Sequence, residues 1–326
     1  MYFPSIQTVA DTVRFHANRQ PDQIAIICEG RTVSYRQLDR ESNRLSRAIL
    51  AGGLPKGTRI GYLGKESEHY YEIFFACAKS ETVLVPINWR LTANEVEHIL
   101  ADSCTQILFI EHEFLAAVEG KRNELPHLRS VIDLDSDGAP GSGLRDWKGR
   151  QSAEPVIPGS TSDDPIVQLY TSGTTGLPKG VVLAHRSFFK IRDGLAAQEL
   201  NWVDWLPNDV SLIGIPGFHI AGIWWAMQAF SAGIPSVCMR NFMSKDAVRL
   251  IKEWRVTTTL VVPAMLYMMI GEPKQGADDF SSLRKIAYGG SPISESLLQQ
   301  SMECFGCELI QLYGLTESGN AAVCLP

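Results

Sequence analysis

The apolar residues of this chain keep switching period. They alternate between the three-to-four spacing of an amphipathic helix and the short unbroken runs of a buried strand. Thr8 to Asn18 has helical spacing, AIIC (25–28) reads as a strand, and GRTVSY begins a second strand after a turn at Gly30. Leu38 to Leu50 is an amphipathic helix with Leu38, Leu45 and Ile49 on one side. RIGYLG is a strand, Ser67 to Lys79 a helix, TVLVPIN a strand, and QILFI closes the run. Between the last two, Thr92 to Asp102 forms a helix opened by a Thr-x-x-Glu capping box. Asp133 to Asp164 is rich in Gly, Pro, Ser and Asp and reads as loop or linker. The alternation then resumes with PIVQLYT, a helix from about His185, VSLIGIP, a helix, SVCMR, a helix from Ser244, TTTLVVP, a helix, KIAYGG, a helix from Ser294, and ELIQLYG. Strands alternating with helices predict an α/β fold of two mostly parallel sheets flanked by helices. The expected division is a first subdomain over 1–150 and a second over 151–326, with the boundary near 135–165.

The 326 residues, 45% of them hydrophobic, suffice for two such subdomains. A formal net charge of −6 and the lack of any basic run argue against nucleic acid as a partner. The N-terminus has no basic start before an apolar run, and Asp11 and Arg14 interrupt it, so it is not read as a signal peptide. Seven cysteines, odd in number and set mostly in apolar stretches such as Cys28 and Cys77, read as reduced core residues of a cytoplasmic protein. Cys304 and Cys307 form a CxxC with no second pair at zinc-like spacing, and read as apolar residues at a helix-to-strand junction. Ser211 to Ile234 carries no formal charge and is long enough to span a bilayer. Pro216, Gly217, His219, Gly222, Gln228 and Ser231 interrupt it. A buried strand, a turn and a core helix from about Ile220 explain it better than a transmembrane span.

YTSGTTGLPKG, Tyr170 to Gly180, is the stretch with chemistry in it. It follows a strand and is expected to precede a helix, where backbone N–H groups can face an anion. Gly173 and Gly176 permit positive φ. Thr171, Ser172, Thr174 and Thr175 supply hydroxyls, and Lys179 a point charge for phosphate. A Walker A loop is excluded: counting from Gly173, the sixth position is Pro178, and Gly180 follows the lysine where a metal-binding hydroxyl would stand. The bland alternative is a Ser/Thr/Gly surface turn.

The eleven residues match the phosphate-loop signature of the adenylate-forming superfamily, which includes acyl-CoA synthetases, aryl-CoA ligases and peptide-synthetase adenylation domains. Further resemblances follow in that family's order: VPINWRLTANEVEHIL (85–100), PGFHIAG (216–222), YGGSPIS (288–294, with Ser291 in an alanine position) and LYGLTES (312–318). The chain is thus identified, by resemblance, as a large-domain portion of an acyl-CoA synthetase or of a fatty-acid- or aryl-CoA ligase.

The resemblance implies carboxylate attack on the α-phosphate of ATP, loss of pyrophosphate, and transfer of the acyl group to coenzyme A. Residues 171–179 would hold the β- and γ-phosphates. Glu317 would hold Mg²⁺ and Thr316 would contact the α-phosphate; taken alone, Thr-Glu after Gly reads as a helix start. Tyr313 would stack on adenine, with Gly314 beside it, and Gly289 and Gly290 would let the adenine and the acyl chain pass close to the backbone. His219, Gly222, Trp224, Val262 and Met265 would line the acid pocket, each having plain core packing as its alternative. His219 is not read as a general base, because the attacking carboxylate is already ionised. One of the adjacent Trp224 and Trp225 could face the pocket and shorten it. The family's later ribose-binding aspartate, hinge and mobile C-terminal domain have no counterpart in these residues, so the expectation is an incomplete large domain that is poorly active alone. Two other readings stay open: an amino-acid adenylation domain, disfavoured by the charge-free stretch 211–234, and a non-catalytic nucleotide-binding fragment. A P-loop hydrolase is disfavoured by the failed Walker pattern.

Overall fold

The computed structural model describes residues 1–135, 143–171, 176–200, 204–273 and 279–325. In chain order its first half holds α1 (Val9–Arg19), β1 (Ile24–Cys28), β2 (Arg31–Ser34), α2 (Tyr35–Ala51), β3 (Arg59–Leu63), α3 (Glu68–Ser80), β4 (Val83–Ile87), α4 (Ala93–Asp102), β5 (Ile107–Ile110), α5 (Ala116–Glu119), β6 (Ser130–Asp133), α6 (Leu144–Gly149), β7 (Pro165–Thr171) and β8 (Lys179–Ala184). The second half holds α7 (Arg186–Ala197), β9 (Ser211–Ile213), α8 (Ile220–Ala232), β10 (Ser236–Cys238), α9 (Ser244–Glu253), β11 (Thr258–Val261), α10 (Pro263–Ile270), β12 (Lys285–Gly289), α11 (Glu295–Phe305), β13 (Glu308–Leu315) and β14 (Asn320–Leu325).

One sheet has six strands in the order β6-β5-β3-β4-β7-β8, and the other eight in the order β14-β13-β12-β11-β9-β10-β1-β2. Pairing is parallel except in the hairpins β7–β8, β1–β2 and β13–β14. The α/β expectation is therefore met: two mostly parallel sheets flanked by helices. Strands buried on both faces read as unbroken apolar runs, as β4 and β5 do. Residues Tyr70 to Ser80 of α3 and Gly222 to Ala232 of α8 are buried all round, which is why neither shows a clean polar stripe. Both helices stop at a left-handed residue, Glu81 and Gly233. The predicted capping box of α4 is present: Thr92 Oγ1 accepts from Glu95 N, and the Glu95 carboxylate accepts from Thr92 N at 2.8 Å. The same device, Thr8 with Asp11, starts α1.

The division into units departs from the expected cut near residue 150. One compact unit comprises residues 6–21 and 35–186, the other residues 1–5, 22–34 and 187–326. Two pairings set this division. β7 joins β4 at Val167 and Leu84, which carries the phosphate-loop strands into the first sheet. β1 pairs in parallel with β10, which takes β1–β2 into the second. The Gly/Pro/Ser/Asp-rich stretch contains α6, and its later part lies along α2. Arg44 Nη1 donates to the Gln151 carbonyl at 2.9 Å, and Asn43 Nδ2 to the Ala153 carbonyl at 3.2 Å. Residues 136–142 of that stretch lie outside the described residues.

Each unit has its own core. In the first, Leu63, Val85, Ile99, Leu108 and Ile110 are packed together. In the second, Leu212, Val237, Ile251, Val261, Leu266 and Ile286 are, with Cys304 and Cys307 against them. Among the described residues no helix is long and apolar enough to cross a membrane.

Candidate functional site

The phosphate-loop candidate is the tip of a β-hairpin. β7 and β8 pair antiparallel through Tyr170 with Gly180 and Thr171 with Lys179. The expected strand–loop–helix arrangement is thereby corrected: β8 intervenes, and α7 begins only at Arg186. No helix N-terminus follows the loop directly, because β8 stands between it and α7. The correction has a physical origin. VVLA after Lys179 is a short apolar run whose pairing partner lies just upstream, and a hairpin of that length competes with helix formation. Gly176 has φ +101°, with nothing near a Cβ placed there. Ser172, Gly173, Thr174 and Thr175 lie outside the described residues. Lys179 is exposed, and among the described residues it makes no ion pair.

Both ends of this hairpin tip are tied to α4. The Tyr170 hydroxyl donates to Asp102 Oδ2 at 2.5 Å and accepts from Gln168 Nε2 at 2.9 Å. Gln168 Oε1 in turn accepts from Arg59 Nε at 3.0 Å. His98 Nε2 lies 3.1 Å from the Pro178 carbonyl, which accepts its proton. His98 and Asp102 are four residues apart and so share one face of the helix. Burial and the Asp102 carboxylate push the Tyr170 phenol pKa up, keeping it a donor. Gly180 completes the closure: a Cβ there would lie 2.5 Å from Gln168 Nε2 and 3.1 Å from the Tyr170 ring. The motif 85–100 thus builds β4 and most of the helix that braces the loop. Its sequence held no signal for His98 or Asp102 beyond their helical spacing.

The other unit holds a candidate region of its own. A cavity of about 120 Å³ is lined by Ile215, by Ile220, Ala221 and Trp224 of α8, by Leu260 to Val262 at the β11–α10 corner, by Gly289 and Gly290 after β12, and by Leu312, Gly314 and Ala321. Of the residues expected here, Trp224, Val262, Gly289, Gly290 and Gly314 are brought together. Three others are placed elsewhere. His219 is exposed, caps the start of α8, and has its ring 4.6 Å from that of Phe218. Met265 is partly buried against the core of its unit. Gly222 meets backbone: a Cβ would lie 2.3 Å from the Ile215 carbonyl oxygen and 2.4 Å from that of Pro216, so the glycine seats α8. Gly289 plays the same part against β13, where a Cβ would lie 2.2 Å from the Leu312 carbonyl oxygen. Gly290 has φ +82°, and Ser291 follows it in an exposed turn.

The two tryptophans separate cleanly. Trp225 Nε1 donates to Ser211 Oγ at 2.9 Å, and its ring lies 5.1 Å from that of Trp205, whereas Trp224 faces the cavity.

LYGLTES forms the bend between antiparallel β13 and β14. Thr316 to Ser318 is a single 3-10 turn rather than a helix start, and Ser318 Oγ accepts from Leu315 N at 3.0 Å. Gly319 at φ +70° returns the chain into β14, a strand the sequence pattern did not suggest. Tyr313 is 59% exposed, Thr316 half-buried and Glu317 exposed. Glu317 makes no ion pair among the described residues, leaving a hard oxygen donor of the kind Mg²⁺ takes one or two of beside substrate phosphates. Among the described residues no group of three or more His, Cys, Asp or Glu could hold a metal ion by itself.

The profile of the AMP-binding enzyme family matches residues 13–326. A fatty acid–acyl-carrier-protein ligase of Streptomyces coeruleorubidus is 56% identical over 327 residues, covering 100% of this chain and 62% of its own length. An indoleacetate–CoA ligase of Aromatoleum aromaticum is 33% identical over 93% of this chain and 59% of its own length. The chain thus spans about three fifths of the length of these curated relatives. Among solved structures, the inhibitor-bound N-terminal domain of FACL13 from Mycobacterium tuberculosis superposes with a TM-score of 0.86 at 28% identity, covering 98% of this chain and 78% of that one.

Proposed function

The chain belongs to the AMP-binding enzyme family, and from that premise we propose that it takes part in ATP-dependent activation of a carboxylic acid. A carboxylate oxygen of the acid attacks the α-phosphorus of ATP. The bond to the bridging oxygen of the β-phosphate breaks, pyrophosphate leaves with that electron pair, and an acyl-adenylate remains. A thiol then attacks the acyl carbon, AMP departs, and a thioester forms.

The observation that carries this reading is the braced hairpin 170–180, with Lys179 and Thr171 opposite each other at its mouth. Departing pyrophosphate needs charge neutralised in place, and Lys179, on a strand tied to α4 through Pro178, supplies a cation with little reorganisation. Lys179 and the loop hydroxyls hold the β- and γ-phosphates, and Thr316 contacts the α-phosphate. Glu317 would hold Mg²⁺, which neutralises phosphate charge when bound. Tyr313 and Gly314 flank the adenine. The cavity beside Trp224 and Val262 takes the acyl group.

That cavity is lined by apolar residues and glycines, with no carboxylate among them. An amino-acid substrate would bring an ammonium needing a buried partner, so the lining favours a fatty or aromatic acid. For the acceptor, coenzyme A and an acyl carrier protein offer the same phosphopantetheine thiol. The 56% identical relative is named as a carrier-protein ligase, which favours the carrier protein; coenzyme A is the second reading, favoured by the relative named as an indoleacetate–CoA ligase. Cytoplasmic location accords with both acceptors and belongs to the proposal.

Acid-dependent ATP–pyrophosphate exchange tests the first step. Thioester formation offered coenzyme A and holo carrier protein side by side tests the second. Nucleotide binding with no exchange for fatty, aromatic or amino acids would sink the ligase reading and leave a nucleotide-binding protein.

A further inference from the structure

The acyl cavity is small. An enclosed apolar cavity of roughly 150 Å³ holds one benzene ring, and the volume beside α8 is about 120 Å³. Trp224 is the bulkiest side chain on its wall. It lies one helical turn from Ile220 and three residues from Ala221, so all three present the same face of α8. The neighbouring Trp225 is held away by its bond to Ser211 and by ring contact with Trp205. The start of α8 is closely seated. Gly222, two residues before Trp224, already brings the helix into backbone contact with Ile215 and Pro216. The helix is also tied one turn further along, where Gln228 Nε2 donates to the Phe188 carbonyl at 2.8 Å.

We infer that the Trp224 indole closes the acyl cavity and restricts the enzyme to a compact acid, with an acyl chain of about four to six carbons or a single small ring. This rests on the adenylation reading above and deepens it. Helix, indole and cavity act together: the close seat of α8 sets where the indole stands, and the indole sets how much chain fits. A longer chain would extend past the apolar lining of that cavity. The usual gain of about fourfold per methylene, the equivalent of about 0.8 kcal/mol, therefore stops at that length.

The test is calorimetric titration of this chain with acyl-sulfamoyl adenosines, stable mimics of the acyl-adenylate, carrying saturated chains of increasing length from butanoyl to hexadecanoyl. The wild type, Trp224→Ala and Trp224→Phe are compared, each checked by its melting curve. Trp224→Phe keeps an aromatic ring in the wall and serves if Trp224→Ala does not fold. The expected result is tightest wild-type binding for butanoyl to hexanoyl and at least tenfold weaker binding of dodecanoyl. Trp224→Ala then moves the optimum to longer chains with a tenfold gain for dodecanoyl, and Trp224→Phe moves it less. Wild-type affinity that keeps rising to hexadecanoyl overturns the inference, as does a length preference unchanged in both variants. Binding equal at every length overturns it too while leaving the adenylation reading intact. If no mimic binds a folded wild type at all, the adenylation reading fails and takes this one with it.

Discussion

The two candidate regions, one in each unit, are built on opposite plans. The described residues of the hairpin, 170–171 and 176–180, are partly to fully exposed, and its strand ends are held by hydrogen bonds to α4. The cavity beside α8 is apolar and partly open, and the glycines around it bring backbone against backbone. An anion site must leave its donors free for the ligand, so it can be braced only from behind, here by Asp102 and His98. An apolar site keeps its shape through packing, so its shape and the stability of its unit are one property. Substitutions in the first region should therefore read out in nucleotide chemistry, and substitutions in the second in stability.

The sharpest way to break that contrast is Gly222→Ala. A Cβ placed 2.3 Å from the Ile215 carbonyl oxygen forces α8 off its seat, and a loss of about 3 kcal/mol or more is expected in urea unfolding. A variant as stable as the wild type would show that the seat is not tight. Lys179→Ala should do the reverse, lowering acid-dependent pyrophosphate exchange by about a hundredfold while the melting temperature stays within a degree or two. Equal exchange rates would remove Lys179 from the phosphate site.

His185 extends the comparison to pH. It is buried in the hairpin's unit, and its Nδ1 accepts from Val9 N at 3.1 Å. Burial lowers its pKa to about 4, against an unfolded value near 6.5. Below pH 6.5 the unfolded chain takes up a proton that the folded one refuses. Stability should be complete above pH 6.5 and fall by up to about 1.4 kcal/mol per pH unit down to pH 4. His185→Gln, followed by denaturation across that range, should flatten the slope; an unchanged slope would assign it to other groups.

Asp102→Asn and His98→Gln probe the brace itself. Each should raise the KM for ATP roughly fivefold, as expected for loss of about 1 kcal/mol from a partly exposed hydrogen bond, with kcat for exchange little changed. The two should combine less than additively, because they hold one loop. A drop in kcat at constant KM would contradict a bracing role. Smallest of all, Gly176→Ala should cost about 1 kcal/mol of local strain at φ +101°. Among the described residues no atom lies within 4 Å of the added methyl, so urea unfolding should show that strain alone, with no added clash.

What was legible in the chain was what neighbours along it decide. The strand and helix periods, the Thr92–Glu95 capping box and the strand, turn and helix within 211–234 all rest on residues a few positions apart. The misses share the opposite property. KGVVLA became a strand because PIVQLYT lay beside it to pair with, and NAAVCL became β14 by folding back on β13. β1 and β2 left the unit of their sequence neighbours because Ile26 to Cys28 found Ser236 to Cys238, more than two hundred residues away. Within the site, the apolar run 211–234 announced a buried helix, but only packing could decide that Trp224 and not Trp225 meets the cavity, and that Gly222 serves the backbone rather than the substrate.

The sequence by itself therefore determined most of the element types, since backbone propensity and capping are local properties. Tertiary structure alone decided which strands are partners, which unit owns the phosphate loop, and how much space stands beside α8. Those outcomes depend on hydrogen bonds and close contacts between residues whose meeting no local period encodes.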